Sequence, residues 1–190
     1  TFEKGIRSLV RQDPDIIMVG EIRDKTTARI AIEAALTGHL VLSTLHTTDA
    51  PSAIMRLMDM GIEPFLINAA LSGVLAQRLA RKLCVDCRIS RSATPEEKKL
   101  LKECGITDMN VVYEAPGCIS CDNLGYKGRV GIFELLEISP ELRSMIINNP
   151  QFDEICHQAV TDGMKTLVND GAHKVKEGII SLAEYARIIA

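Results

Sequence analysis

The chain has 190 residues, enough to bury a substantial core as one domain or two small ones. Hydrophobic residues make up 46% and the mean hydropathy is +0.10, the balance of a globular chain and not of a disordered one. A net charge of −3, with no Trp, three Tyr and four Phe, leaves neither the positive field nor the stacking surfaces that a nucleic-acid binder needs.

The chain opens at Thr1 without Met, in what reads as the middle of a pattern, so the expectation is an excised fragment. No basic and apolar leader opens it, and the expected compartment is the cytoplasm. Phe2, Ile6, Leu9 and Val10 stand at helical spacing over Thr1 to Gln12, with Arg7 and Arg11 four apart on one face. That pair is either a solvated face or a reach toward phosphate or a neighbouring subunit.

Asp13-Pro14 is a turn signal, and Ile16 to Val19 is a short branched run fenced by Pro14 and Gly20. It predicts a strand buried on both faces, as in a parallel sheet. Glu21 then emerges at the carboxyl end, where open α/β sheets place their ligands. One carboxylate delivered to a rim by a buried strand has the shape of a Walker B element. The alternative is a core strand whose first solvated residue is Glu.

Asp24 is a good N-cap for a helix through Leu36, and Gly38 is its stop. A second strand runs over His39 to Leu45. Strand, helix and strand make a βαβ unit and imply a parallel sheet. His46 lands at the same edge as Glu21, where an imidazole donates to a phosphate oxygen and Ser43, Thr44, Thr47 and Thr48 offer hydroxyls. Alternatively these polar residues cap the next helix, which Asp49 and Pro51 start. That helix runs from Ala50 to Met60 and stops at Gly61. A broad apolar surface predicts one buried helix from Pro64 to Leu83. Within it Leu66 to Leu79, interrupted by Asn68, Ser72 and Gln77, is too short and too polar to span a membrane. Met55, Met58 and Met60 are packing residues.

The character changes at Cys84. Cys84-Val85-Asp86-Cys87 and Cys118-Ile119-Ser120-Cys121 present four thiolates on two tight turns, a set that suits structural Zn²⁺ and leaves no open position to activate water. Disulfides and redox pairs are the rival readings; the first conflicts with a reducing compartment and the second with duplication in one small module. The gap between the turns is expected to hold a helix from Pro95 to Cys104 and a loop. Cys104 and Cys156 fall outside the pattern as small apolar residues. Val130 to Leu136 reads as a strand and Ser139-Pro140 starts a helix to Asn148. The tail is a small helical bundle, with helices at Ile155 to Val160, at Met164 to Val175 and after Ser181, broken by Gly163, Gly171 and Gly178. The expected division is an α/β core over 1–83, a tetracysteine module over 84–136 and a helical subdomain over 137–190.

These stretches together resemble one family. Arg11-Gln12-Asp13-Pro14-Asp15, running into Met18-Val19-Gly20-Glu21-Ile22-Arg23-Asp24, resembles the Walker B region of the secretion ATPases, and Thr37-Gly38-His39-Leu40-Val41-Leu42-Ser43-Thr44-Leu45-His46-Thr47 their His box. Cys84, Cys87, Cys118 and Cys121 sit where the type II secretion and type IV pilus assembly ATPases carry a tetracysteine zinc subdomain, which retraction motors lack. The segment from Gly125 to Glu134 resembles the stretch on the carboxyl side of that subdomain in the same family. The resemblance covers essentially the whole chain and implies the C-terminal part of a RecA-like P-loop NTPase. It further implies a cytoplasmic homohexamer, peripheral to the inner membrane, that uses ATP and Mg²⁺ to drive pilin or pseudopilin assembly through an inner-membrane platform protein and cytoplasmic-domain partners. Glu21 would polarise the attacking water, His46 would sense the terminal phosphate, Arg23 would join them in nucleotide binding, and the four Cys would hold Zn²⁺. A Walker A loop, GxxxxGK[ST], does not occur in the sequence, and Gly20 stands where many P-loop enzymes have Asp. The chain alone is therefore expected to be inactive. A zinc-stabilised interaction module that uses no nucleotide is the alternative.

Overall fold

The computed structural model describes Gly5, Ser8, Gln12, residues 14–103, 105–107 and 109–189. The rest of the predicted Thr1–Gln12 helix, with Arg7 and Arg11, lies outside the described residues, as does Cys104. The chain divides into two compact units, one of residues up to Val74 with Leu135–Met164, the other of Leu75–Glu134 with the residues from Lys165.

In the first unit β1 (Ile16–Val19) pairs in parallel with β2 (Leu40–Ser43), from Ile16↔Leu40 to Val19↔Ser43. Helix α1 (Lys25–Leu36) crosses between them, so the βαβ unit is present. The Asp24 carboxylate accepts the Thr27 amide at 2.8 Å and caps the helix. Gly38, at φ +99°, turns the chain out of it. Ile30 and Ala34 pack onto Ile17 and Val19 with Val41 against them. Burial is one-sided, contrary to the two-faced strand expected: Ile17 and Val19 are 5% and 2% exposed, Ile16 and Met18 58% and 76%. Helix α1 covers one face of a two-stranded sheet, and β-strand alternation sends every second side chain to the other.

Helix α2 (Pro51–Asp59) starts as expected, with the Asp49 carboxylate accepting the Ser52 amide at 2.9 Å. The predicted helix from Pro64 to Leu83 is wrong beyond its first turns. Helix α3 ends at Ala70 (Pro64–Ala70), and Gly73–Leu83 is strand β3, paired with β6 (Tyr126–Glu137). The Leu, Ala, Gln, Arg and Lys of β3 favour helix in isolation, but pairing with a long partner strand overrides that preference. Arg143 of α5 (Pro140–Ile147) closes the end of α3, donating to the carbonyls of Asn68 and Leu71. Ser139 caps α5 through the Leu142 amide, and α6 (Phe152–Thr161) packs on α2 and α5.

The second unit holds most of β3 and β6, an antiparallel pair β4 (Ile89–Ser92) and β5 (Val111–Glu114), and helices α4 (Pro95–Glu103), α7 (Leu167–Lys176) and α8 (Leu182–Ile189). The β4–β5 pair stands where no strand was expected. Leu101, Val112, Ile132, Ala172, Val175, Ile180 and Tyr185 form its core. Helix α7 runs through Gly171, which does not break it; a Cβ there would meet the Tyr185 ring at 2.9 Å, so the glycine admits close packing.

Glu184 is fully buried in α8 and holds two arginines. It accepts from the Arg81 amide at 2.9 Å and guanidinium at 2.7 Å, and from Arg187 at 2.6 Å. Arg81 also lies over the Tyr126 ring at 4.3 Å, and the Tyr126 hydroxyl meets Ser181 at 2.7 Å. The Arg187 and Arg81 bonds outweigh burial and bring the Glu184 carboxyl down to about 2. A lowered folded-state pKa contributes stability above the unfolded value of about 4.3, and that stability is lost as pH falls toward 2. Glu184→Gln is expected to cost about 2 kcal/mol at neutral pH, less than a fully buried pair because both arginines are half exposed and rehydrate. It should also flatten part of the acid slope, which thermal melts of both forms between neutral and acid pH will check.

Candidate functional site

Glu21 and His46 meet at the carboxyl edge of the β1–β2 pair. His46 Nε2 lies 3.0 Å from Glu21 Oε2, and Arg23 Nη2 lies 2.7 Å from Oε1. The Glu21 side chain is 35% exposed and the imidazole 82%, so the group faces solvent at a rim. The Arg23 guanidinium, and after it the imidazole, hold the Glu21 carboxyl below the usual carboxylate range. Glu21 is thus an ionised acceptor, and His46 donates to it when Nε2 carries the proton. Sequence reasoning placed Glu21 and His46 at one edge, and the structure brings them into contact, with Arg23 beside them.

The backbone that presents Glu21 is irregular. The β1–β2 register would bring the Glu21 amide to the Thr44 carbonyl, yet Thr44 O accepts the Ile22 amide at 2.9 Å. One residue is therefore looped out of the ladder around Gly20. The period of two would turn Glu21 inward with Ile17 and Val19. After the slip Ile22 takes the inward place, 8% exposed, and Glu21 goes to the rim. The Thr44 hydroxyl donates to the Gly20 carbonyl at 2.8 Å. Thr47 and Thr48, read either as phosphate donors or as part of the next helix cap, donate here to the Asp49 carbonyl at 3.1 Å and carboxylate at 2.8 Å.

In the second unit Cys84, Cys87, Cys118 and Cys121 place their sulfurs within 4.8 Å of one another. The separations are 3.9 Å for Cys84 to Cys118, 3.9 Å for Cys87 to Cys121 and 3.8 Å for Cys118 to Cys121. A tetrahedron of sulfurs at about 2.3 Å from one ion has edges of about 3.8 Å. A disulfide needs about 2.05 Å, so the cysteines are free and the pairing reading falls. The amides of Cys118 and Gly125 both donate to Cys121 Sγ at 3.3 Å. Burial pushes the Cys121 thiol up, but those amides and the neighbouring thiols bring it to about 7. Burial, and after it the Cys118, Cys84 and Cys121 thiols, push Cys87 up to about 12 against the lowering effect of the Gly117 amide. Four thiols this close cannot all ionise without a cation among them. Glycine is required at two of the turns: a Cβ on Gly117 (φ +104°) would lie 2.5 Å from Asn123 O, and on Gly125 (φ +75°) 2.3 Å from Ala115 O. Sequence reasoning grouped these four cysteines, which the structure brings together, and missed the amides, which leave no trace in residue type.

The profile of the family described as Type II/IV secretion system protein matches residues 1–187. The chain belongs to that family. Among curated relatives of this secretion-system chain, the Type II secretion system ATPase E of Vibrio cholerae is 47% identical over 99% of the chain and 37% of its own length. The Type IV pilus assembly ATPase TfpB of Acinetobacter baylyi is 46% identical over 99% and 32%. The Type IV pilus assembly ATPase PilB of Thermus thermophilus is 50% identical over 97% and 21%. The chain thus spans between about a fifth and two fifths of these relatives. The pilus retraction motor PilT with bound ADP superposes with a TM-score of 0.69 at 26% identity, over 99% of this chain and 43% of that one. The ATPase DotB of Legionella pneumophila gives 0.67 at 25%, over 100% and 42%. The fold is the α/β fold of P-loop ATPases, with a tetracysteine cluster. No helix among the described residues is long and apolar enough to cross a membrane.

Proposed function

We propose that the chain is the C-terminal part of an ATPase that couples ATP hydrolysis to type II secretion or type IV pilus assembly, working as a cytoplasmic homohexamer against an inner-membrane platform protein. The observation that carries this is the Glu21–His46 pair at 3.0 Å on adjacent parallel strand ends, in a family whose relatives are named ATPases. Glu21 orients the attacking water and takes up its proton as the water oxygen bonds to the terminal phosphorus, while the bond from that phosphorus to the bridging oxygen breaks and ADP leaves. His46 Nε2, released from Glu21, donates to that phosphate, and Arg23 neutralises charge at the same edge. Catalysis of this kind is positioning and electrostatics. Mg²⁺ favours a six-oxygen shell and would supply charge neutralisation at the phosphates, while the Asp24 and Asp49 carboxylates are engaged as helix caps.

Cys84, Cys87, Cys118 and Cys121 fit Zn²⁺, which would supply a structural cross-link. An interaction module that uses no nucleotide is not favoured, because the relatives are named ATPases. The test is ATP hydrolysis by the complete protein against this chain alone. The complete protein is expected to release phosphate. The chain, without GxxxxGK[ST], is expected to give no heat of ATP binding in a calorimetric titration. Absence of turnover in the complete protein sinks the proposal, and micromolar ATP binding by the chain overturns its predicted inactivity.

A further inference from the structure

We propose that Thr44 is a positioning residue for Glu21: it holds the one-residue slip that turns the carboxylate from the buried face of β1 to the rim. The inference rests on the reading of Glu21 as the water-orienting carboxylate. Thr44 is bonded to both neighbours of Glu21 and not to Glu21 itself. Its hydroxyl takes the Gly20 carbonyl at 2.8 Å, and its own carbonyl takes the Ile22 amide at 2.9 Å. The Glu21 main chain is thereby pinned on either side by a single residue of the neighbouring strand.

The hydroxyl is the specific part. Any residue at 44 supplies the carbonyl, but in the slipped register the Gly20 carbonyl is out of ladder position and a side chain donor reaches it. Without that donor the local ladder is free to return toward the register that Val19↔Ser43 sets. In that register Glu21 shares a face with Ile17 and Val19, and its carboxylate leaves the reach of His46 and Arg23. Gly20 does not enforce the slip by itself. Its φ is not in the left-handed region, and a Cβ on it would meet nothing within 4 Å. His46 lies two residues beyond Thr44 on the same strand end, so Thr44 fixes the carboxylate relative to the strand that carries its partner.

The proposal separates Thr44 from a nucleotide ligand, because it predicts a loss in turnover and not in binding. The experiment measures steady-state ATP hydrolysis by the complete protein as Thr44→Val, Thr44→Ser and Glu21→Gln, with melting temperatures for each. Valine keeps the branched shape and removes the donor; serine keeps the donor. Thr44→Val is expected to lower kcat about tenfold with KM for ATP within about twofold, and Thr44→Ser to stay within about twofold in both. Parental kcat in Thr44→Val overturns the inference. So does a loss confined to KM, which would make the hydroxyl a nucleotide contact, and so does an equal loss in Thr44→Ser. If the melting temperature shows that Thr44→Val does not fold, Thr44→Ala is measured in its place with the same outcomes. Glu21→Gln reports separately: turnover at the parental rate there sinks the proposed function, whereas loss of turnover there with parental Thr44→Val sinks only the role of Thr44.

Discussion

Removing the metal from the tetracysteine module is expected to unfold residues 84 to 136 and to lower the melting temperature by about 10 °C or more. The module holds little apolar material of its own at the turns. Cys84 and Cys121 are buried, while Val85, Ile119 and Leu124 on the same turns are 70%, 93% and 71% exposed. In the proposed reading the two turns are held by one metal ion shared among the four converging sulfurs. Structural zinc binds with about 10–16 kcal/mol, comparable to the whole stability of a domain at about 5–15 kcal/mol. Cys121→Ser is expected to act like chelation, because it replaces one of the four thiolate donors with a hydroxyl that stays protonated. Elemental analysis should find one metal ion per chain, and proteolysis after chelation should cut within the module. A metal-free sample with an undiminished melting temperature would contradict the structural role.

The parts of this chain legible in the sequence are those fixed by local chemistry. Asp24, Asp49, Ser139 and Ser181 each sit before a helix and each bonds an amide in its first turn, as a capping residue does anywhere. The two CxxC turns announce by their spacing the four cysteines that the structure groups together. Residues 73–83 failed because their apolar positions fit a helix as well as a strand, and the partner that decides, β6, begins at Tyr126. The β4–β5 pair was missed for the same reason, since Ile89–Ser92 is only four residues and its partner is Val111–Glu114. Glu184 gave no signal either. Its hydrogen bonds to Arg81 span 103 positions, and a Glu in an amphipathic helix reads as solvated face. At the candidate site the residue types pointed to Glu21 and His46. The slip that brings Glu21 outward belongs to backbone hydrogen bonding, which a period of two cannot foresee.

Glu21→Gln in the complete protein is expected to lower ATP turnover by about 10²- to 10⁴-fold, the range associated with a positioned acid–base group. Glutamine keeps the length of the side chain and one oxygen that accepts from Arg23, so the strand end should stay in place. It loses the negative charge that draws on the water's proton. The cost should appear in kcat alone, because the role proposed for Glu21 is toward the attacking water and not the bulk of the nucleotide. Loss of the carboxylate also frees His46 for phosphate, so ATP affinity should stay the same or rise. The decisive measurement is phosphate release and ATP binding on the same preparation of this variant. The account predicts release lowered at least about a hundredfold with ATP still bound at parental affinity or tighter. Parental release, or a loss explained by weaker ATP binding, would contradict it.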